Sequence, residues 1–287
     1  MNKGSDAILV TGATGQQGGA TARELLAAGH KVYAMTRNLE GESAQALAEA
    51  GAILVEANLD DDASLRAALD GMWGVFAVQN TWEAGVEGEE EQGKRLARLA
   101  QEAGVQHFVY ASVGSADENT GIPHFDNKDR VEETIRSLGL PSFVIIRPVF
   151  FMDNLASPWF KPAIDDGALA ISVRPDTAIQ MIAVADIGRY GRLAFEQHES
   201  LNGRAIDIAG DTLNPVEAAA VLSTAAGREI VHYQVPIEQV REFSDDFATM
   251  LEWFDAVGYS ADIEENEREF SVPATKFTDW VATIDWN

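Results

Sequence analysis

The chain has 287 residues, 46% of them apolar and 23% charged, which is ordinary globular usage and excludes a disordered or fibrous class. Its formal net charge of -25 repels phosphate backbones and anionic lipid surfaces, so nucleic acid and membranes are poor partners. It contains no cysteine and its five histidines show no ligand spacing, so we expect neither disulfides nor thiolate chemistry nor a metal site.

No segment is apolar over the roughly 18 to 20 residues that a bilayer crossing needs, and no signal-type stretch precedes the first apolar run. We therefore expect a cytoplasmic protein. The length predicts one compact body with one active site.

Short apolar runs alternate with amphipathic stretches from Ala7 to Arg147, in the rhythm of a parallel sheet covered by helices. The predicted strands are Ala7–Thr11, Lys31–Thr36, Ala52–Glu56, Gly74–Gln79, His107–Ala111 and Phe143–Arg147. The predicted helices are Gln17–Ala28, Glu42–Ala50, Asp62–Leu69, Glu89–Ala103 and His124–Leu138. This rhythm indicates an α/β fold with a doubly wound, Rossmann-like parallel sheet over residues 1–150.

After Pro148 the rhythm loosens. We expect residues 151–287 to form a smaller C-terminal α/β part that completes the sheet and shapes a substrate pocket. Its predicted helices are Asp186–Phe195, Asn214–Ala226 and Ile237–Val257, and its predicted strands are Ala205–Ala209 and Glu229–Val235.

The sequence ILVTGATGQQGGATARELL carries the strongest functional signal, because a strand, three spaced glycines and a helix follow one another directly. Gly12 permits a tight turn, Gly15 lets a pyrophosphate approach the backbone, and Gly18 lets helix and strand pack closely. The start of the helix offers free amides and a positive dipole to phosphates. The expected dinucleotide contacts are Gly12, Thr14, Gly15, Gln16, Gln17 and Gly18; the alternative is a tight turn without a ligand.

The second predicted strand ends in Arg37, at the place where an acidic residue would hold the ribose hydroxyls of NAD. A guanidinium group can hold the extra phosphate of NADP with two parallel hydrogen bonds, so the sequence favours binding of NADP(H) by Arg37. The alternative is a solvated arginine that binds no ligand. After the third strand, Asp60 is a candidate acceptor for the adenine amino group, whereas Asp61 can equally cap the next helix.

Six segments together resemble the NmrA-like branch of the atypical short-chain dehydrogenases and reductases. They are TGATGQQGG, MTRN, NTWE at residues 80–83, HFDNK at 124–128, RPVFFMDN at 147–154 and WFDAVGY at 253–259. The resemblance covers nearly the whole chain. It implies NADP(H) binding, with some members reducing quinones, azo dyes or other small carbonyl-like compounds and others acting as redox-sensing regulators without turnover.

Typical short-chain reductases use a tyrosine and a lysine four residues apart, but no tyrosine here has a lysine at that spacing. His124 and Lys128 stand at that place. The resemblance implies that Lys128 holds the nicotinamide ribose, and it puts Ser112 at a position that faces the substrate oxygen. The catalytic candidates are therefore Lys128, Ser112 and His124, although His124 can instead cap or pack and Ser112 can instead bond its own backbone.

Most of the remaining candidates follow two strands: the sixth ends at the edge where open α/β sheets place their ligands, and the resemblance implies that the chain after the fourth lies beside the nicotinamide. The further cofactor contacts are Gln79, Thr81, Pro148, Phe151 and Asn154, and the substrate-pocket candidates are Trp82, Phe150 and Trp253. Trp82 can equally be a packing residue, and the helical spacing of Trp253 with Met250, Phe254 and Tyr259 is more typical of a core. The acidic run Glu87–Glu91 is expected to precede a helix and to complement its positive end.

Two functions remain open on the sequence alone. One is an NADPH-dependent reductase of a small molecule; the other is a cofactor-sensing protein that controls a protein partner or its own dimerisation. A sugar-nucleotide epimerase ranks last, because it needs the tyrosine that is missing.

Overall fold

The computed structural model describes residues 6–286. The strands are β1 (Ala7–Val10), β2 (Lys31–Thr36), β3 (Ile53–Glu56), β4 (Gly74–Ala77), β5 (His107–Ala111), β6 (Phe143–Pro148), β7 (Phe150–Phe151), β8 (Ala168–Ile171), β9 (Ile179–Ile182), β10 (Ala205–Ile208), β11 (Asp211–Leu213) and β12 (Val231–Gln234). The α-helices are α1 (Gln16–Ala27), α2 (Glu42–Glu49), α3 (Asp62–Leu69), α4 (Thr81–Glu102), α5 (Pro123–Ser137), α6 (Lys161–Asp165), α7 (Val184–Glu196), α8 (Pro215–Ala226), α9 (Ile237–Phe243), α10 (Asp245–Ala256), α11 (Ile263–Phe270) and α12 (Phe277–Val281).

The central sheet has seven strands in the order β10-β6-β5-β4-β1-β2-β3, and the strand pairs from β6 to β3 are all parallel. Strands β1 and β4 are buried at every position, as expected for parallel strands covered on both faces. The strand order reverses between β1 and β4, and open α/β sheets bind ligands outside the carboxyl ends of the strands at such a point. The α/β, Rossmann-like prediction is confirmed.

Helix α4 begins eight residues earlier than predicted. Asn80 caps it by accepting a hydrogen bond from the Trp82 amide at 3.1 Å. Gly85 has a positive φ of 75° inside the helix, so the first turn is set off from the rest by a kink. The acidic run Glu87–Glu91 therefore lies inside the helix and not before it, which makes the prediction for that run wrong.

The chain divides into two compact units with discontinuous boundaries. The first unit comprises the residues up to Ala116 together with His124–Arg147 and Ile187–Ile206; the second comprises Asp117–Pro123, Pro148–Asp186 and Asp207–Asn287. The chain passes to the second unit after Arg147 and returns to the first after Asp186.

Helix α7 joins the first unit through two glycines. A Cβ on Gly188 would lie 2.8 Å from the backbone of Ala20, and one on Gly191 would lie 2.6 Å from the hydroxyl of Thr21. Only glycine lets α7 approach α1 this closely. Helix α1, which follows the glycine turn, thus packs against residues that lie far away in the sequence.

The second unit contains two small sheets, β11-β9-β7 and β12-β8. Asn214 caps α8 in a full capping box with Glu217, in agreement with the helix start predicted at Asn214. The single helix predicted over Ile237–Val257 is instead α9 and α10, because Ser244 leaves the helical conformation and caps α10. Over residues 6–286, we find no helix whose length and apolar content would suit a membrane crossing.

Candidate functional site

The glycine turn lies at the carboxyl end of β1 and is shaped by close backbone contacts. Gly12 has a positive φ of 56°, and a Cβ there would come within 2.7 Å of Val78 Cγ1. A Cβ on Gly18 would lie 2.4 Å from the Gly12 carbonyl oxygen and 2.5 Å from that of Thr11. Both positions therefore require glycine for the turn itself.

Gly15 differs from the other two glycines because it is exposed, and a Cβ there would meet only the Gly12 carbonyl oxygen, at 3.3 Å. It stands at the N-terminal cap of α1, and no side chain caps that helix. The first amides of α1 are thus left for another acceptor. Thr14 and Gln16 are exposed beside them, and Gln17 Oε1 is buried without a hydrogen-bond partner.

Thr11 ties this turn to the segment after β4. Its hydroxyl donates to the Val78 carbonyl oxygen at 3.0 Å and accepts from the Val78 amide at 2.9 Å. The next side chain, Gln79, is buried, and neither of its amide atoms has a hydrogen-bond partner. Such an unpaired buried amide is costly unless a bound group satisfies it.

Arg37 follows the end of β2, as predicted, and its guanidinium forms an ion pair with Glu83 in the first turn of α4. Both side chains are more than half exposed. The arginine is therefore accessible, but an anion already contacts it.

Asp60 and Asp61 have different roles at the carboxyl end of β3. Asp61 caps α3 by accepting from the amides of Ala63 and Ser64, and these bonds lower the pKa of its carboxyl group. Asp60 accepts from Gln92 Nε2 at 3.0 Å and remains largely exposed. The cap expected for Asp61 is present, while adenine binding by Asp60 stays a prediction.

Lys128 is buried in α5 and pairs with Glu89 of α4, with 2.8 Å between Nζ and Oε1. Glu89 also accepts hydrogen bonds from Thr81 Oγ1 and from Asn127 Nδ2. Burial alone would raise the pKa of the Glu89 carboxyl group, but the Lys128 charge and these hydrogen bonds hold it below its usual value. Lys128 therefore faces a buried carboxylate, which the sequence analysis missed.

His124 lies one turn before Lys128 and is also buried. Its ring contacts the Trp82 ring, with the centroids 5.5 Å apart, and packs edge-on against Phe125 at 4.8 Å. Trp82 itself is largely exposed, so it covers His124 from the solvent side. The packing alternative describes His124 in this structure, and a chemical role for it stays a prediction.

Ser112 follows β5 and is buried, but its hydroxyl donates to Glu132 Oε1 at 2.5 Å. The same carboxylate accepts two hydrogen bonds from Arg147, at 2.9 and 2.5 Å. The hydroxyl hydrogen thus points to a buried ion pair instead of an open surface. Neither partner was among the residues considered for Ser112, because the sequence gives no sign that Glu132 faces inward.

The other candidates belong to the second unit. Pro148 is buried at the end of β6, whereas Phe151 and Asn154 are partly exposed at the start of the unit. Phe150 packs edge-on against Phe254, and Trp253 is buried against Tyr259 with 5.3 Å between the ring centroids. Phe150 and Trp253 thus contribute to the aromatic core of this unit, as the helical spacing of Trp253 indicated.

The strand order, the glycine turn and the uncapped helix start define the class of this protein: a Rossmann-type fold with a dinucleotide-type turn. The sequence model of the NmrA-like family matches residues 4–282, and the chain belongs to that family.

Three proteins illustrate what this chain is similar to. An NmrA-like family domain-containing protein of Dictyostelium discoideum is 25% identical over 88% of this chain and 89% of its own. The nitrogen metabolite repression protein of Emericella nidulans is 29% identical over 82% of this chain and 69% of its own. The structure of an NADPH-dependent quinone oxidoreductase of Escherichia coli, solved with NADPH, superposes with a TM-score of 0.80 at 23% identity and covers 96% of this chain and 99% of its own.

With several fungal oxidoreductases of the family, the chain matches only about half of their length. A regulator and oxidoreductases thus both occur among the relatives.

Proposed function

We propose that this chain binds NADP(H) at the glycine turn and uses NADPH to reduce a small quinone, azo, enone or carbonyl compound. The observation that carries cofactor binding is the start of α1, where an exposed Gly15 leaves the backbone open and no side chain caps the helix. A pyrophosphate fits this place, because it accepts hydrogen bonds from free amides and is favoured by the helix dipole.

Two further features support the fit of a dinucleotide. Arg37 offers an exposed guanidinium to a 2′-phosphate at the end of β2, and Gln79 offers a buried amide with no other partner. When bound, the cofactor supplies the hydride, and the protein contributes binding and orientation.

In this proposal Lys128 is the cationic side chain nearest to the chemistry. Glu89 fixes its ammonium group, and Asn127 and Thr81 hold the Glu89 carboxylate, so little conformational entropy is lost when Lys128 contacts a ribose hydroxyl. His124 and Ser112 remain candidates for the polar contact to the substrate, and the Ser112 oxygen can still accept a hydrogen bond while its proton is donated to Glu132.

A second candidate function is a cofactor sensor without turnover that controls a protein partner or its own assembly. It is favoured by His124 in place of a tyrosine and by the Ser112 hydroxyl, which is already donated to Glu132. A sensor requires two conformations that differ in cofactor affinity.

The deciding experiment is calorimetric titration with NADPH and NADH, followed by NADPH oxidation assays with quinones, azo dyes, enones and aldehydes. The reductase predicts tighter binding of NADPH and acceptor-dependent oxidation that is lost in Lys128→Ala. Because this variant leaves Glu89 buried without its cation, Lys128→Met combined with Glu89→Gln provides a charge-neutral comparison.

Binding without turnover on any acceptor, together with a change in small-angle scattering on NADPH addition, would support the sensor instead. Absence of NADPH binding would overturn both functions.

A further inference from the structure

The ion pair between Arg37 and Glu83 joins two segments that are separate in sequence. Arg37 follows β2, and Glu83 lies in the first turn of α4, which the kink at Gly85 sets off from the rest of the helix. Their side chains are 64% and 52% exposed, so neither is locked in place by packing.

We propose that Glu83 is a specificity residue that weakens the preference for NADPH over NADH by occupying Arg37 in the cofactor-free protein. This inference rests on the proposed function, since it assumes that Arg37 receives the 2′-phosphate. A cofactor with that phosphate has to displace the Glu83 carboxylate from the guanidinium, whereas a cofactor without it leaves the ion pair intact.

Two costs fall on NADPH alone. The first is the loss of an exposed ion pair, which is worth up to about 1 kcal/mol and therefore about fivefold in affinity. The second is repulsion between the displaced carboxylate and the phosphate if the two stay near each other. Both costs vanish when the carboxylate becomes a neutral amide of the same shape.

The test compares Glu83→Gln with Glu87→Gln by calorimetric titration with NADPH and with NADH. Glu87 is an exposed carboxylate on the same helix, so its substitution changes the net charge equally without touching Arg37. We expect Glu83→Gln to bind NADPH about two- to fivefold more tightly than Glu87→Gln, with equal NADH affinity in the two variants. In an Arg37→Gln background the gain should shrink to the part that comes from carboxylate–phosphate repulsion, because no guanidinium is left to be released.

Salt gives an independent readout. The gain in Glu83→Gln should shrink from about 50 mM to 500 mM salt, since an exposed ion pair is screened over that range.

Equal NADPH affinities in Glu83→Gln and Glu87→Gln, or a gain of undiminished size in the Arg37→Gln background, would overturn the inference and leave the proposed function standing. Failure of the unmodified protein to bind either nucleotide would instead overturn the proposed function and the inference with it.

Discussion

The buried contact between Lys128 and Glu89 affects the stability of the folded chain. The Lys128 side chain is 10% exposed and that of Glu89 only 2%, so both charges are largely removed from water. Removing such charges from water costs several kcal/mol per ion, and mutual attraction with full hydrogen bonding offsets that cost. Thr81 and Asn127 supply the additional bonds to Glu89. The buried pair is therefore stable only when both charges and the additional hydrogen bonds to Glu89 are present.

We expect Glu89→Gln to lower the free energy of unfolding by about 3 to 5 kcal/mol, because it leaves the Lys128 ammonium buried without its carboxylate. Urea unfolding measures this loss. The exposed Glu87→Gln should stay within about 0.5 kcal/mol of the unmodified protein. Adding Lys128→Met to Glu89→Gln should restore most of the stability, and equal stability of Glu89→Gln and Glu87→Gln would contradict the buried pair.

At the scale of single residues, the sequence predicts side chains that stand at strand ends better than side chains that face each other. Arg37 and the Asp61 cap follow from their positions after a strand. Glu89 was interpreted as part of an acidic run that complements the start of a helix, because five neighbouring carboxylate and glycine positions give no sign of which one faces inward. The partner of Ser112 was missed for the same reason, since Glu132 and Ser112 meet only after α5 packs on the sheet.

At the scale of elements, two glycines of the same turn are needed for different reasons. A Cβ on Gly18 would overlap two backbone carbonyl oxygens, whereas a Cβ on Gly15 meets one oxygen at 3.3 Å and otherwise points to solvent. Gly18 is required by the packing of α1 on β1. Gly15 has no such packing requirement, and in our proposal it is the cofactor that approaches the backbone there.

Gly15→Ala is therefore expected to change the thermal unfolding midpoint little while reducing NADPH affinity at least tenfold. Gly18→Ala should lower the midpoint sharply, because backbone overlaps of this kind cannot be relieved by a rotamer change. Thermal unfolding and calorimetric titration of both variants check this pair of outcomes. Unchanged NADPH affinity in a folded Gly15→Ala would remove the turn from the binding site.

The elements of the first unit were predictable because each strand is a short apolar run closed by a helix with a glycine after it. Predicted and observed strands differ by at most two residues at either end. The second unit was harder, and four of its strands were not predicted: Phe150–Phe151, Ala168–Ile171, Ile179–Ile182 and Asp211–Leu213. Such short strands carry too few positions for a periodic pattern of their own, and the four-residue strands of the first unit were found through the glycine-ended helices between them.

At the scale of the whole molecule, one buried histidine shapes the response to acid. His107 in β5 is fully buried, close to the rings of Phe195 and His198. Burial, together with the neighbouring His198, lowers the pKa of His107 from 6.5 to about 3. Between these two values the unfolded chain binds a proton that the folded chain does not. Stability therefore falls as the pH falls from about 6.5 towards 3, by up to about 1.4 kcal/mol per pH unit.

His107→Asn should flatten this loss between pH 6.5 and 5, a window above the range in which most carboxylates titrate. The variant will be less stable at pH 8, because a smaller side chain leaves a cavity, so the slopes are compared and not the absolute values. Urea midpoints at four pH values from 8 to 5 provide the slopes. The control is His232→Asn, which replaces a half-buried histidine of β12. Equal slopes in both variants would contradict the assignment of the stability loss to His107.

Because the chain returns to the first unit after Asp186, part of that unit can form only late in translation. Strand β6 acquires its outer neighbour only when β10 has been made, and the surface of α1 around Ala20 is covered only by the glycines of α7. Roughly 60 residues separate the two strands, which corresponds to about 3 to 12 seconds of translation. During that interval the nascent sheet has an open edge of the kind that pairs with other chains. The first unit is thus completed late, and we expect a fragment that ends near residue 150 to be prone to aggregate.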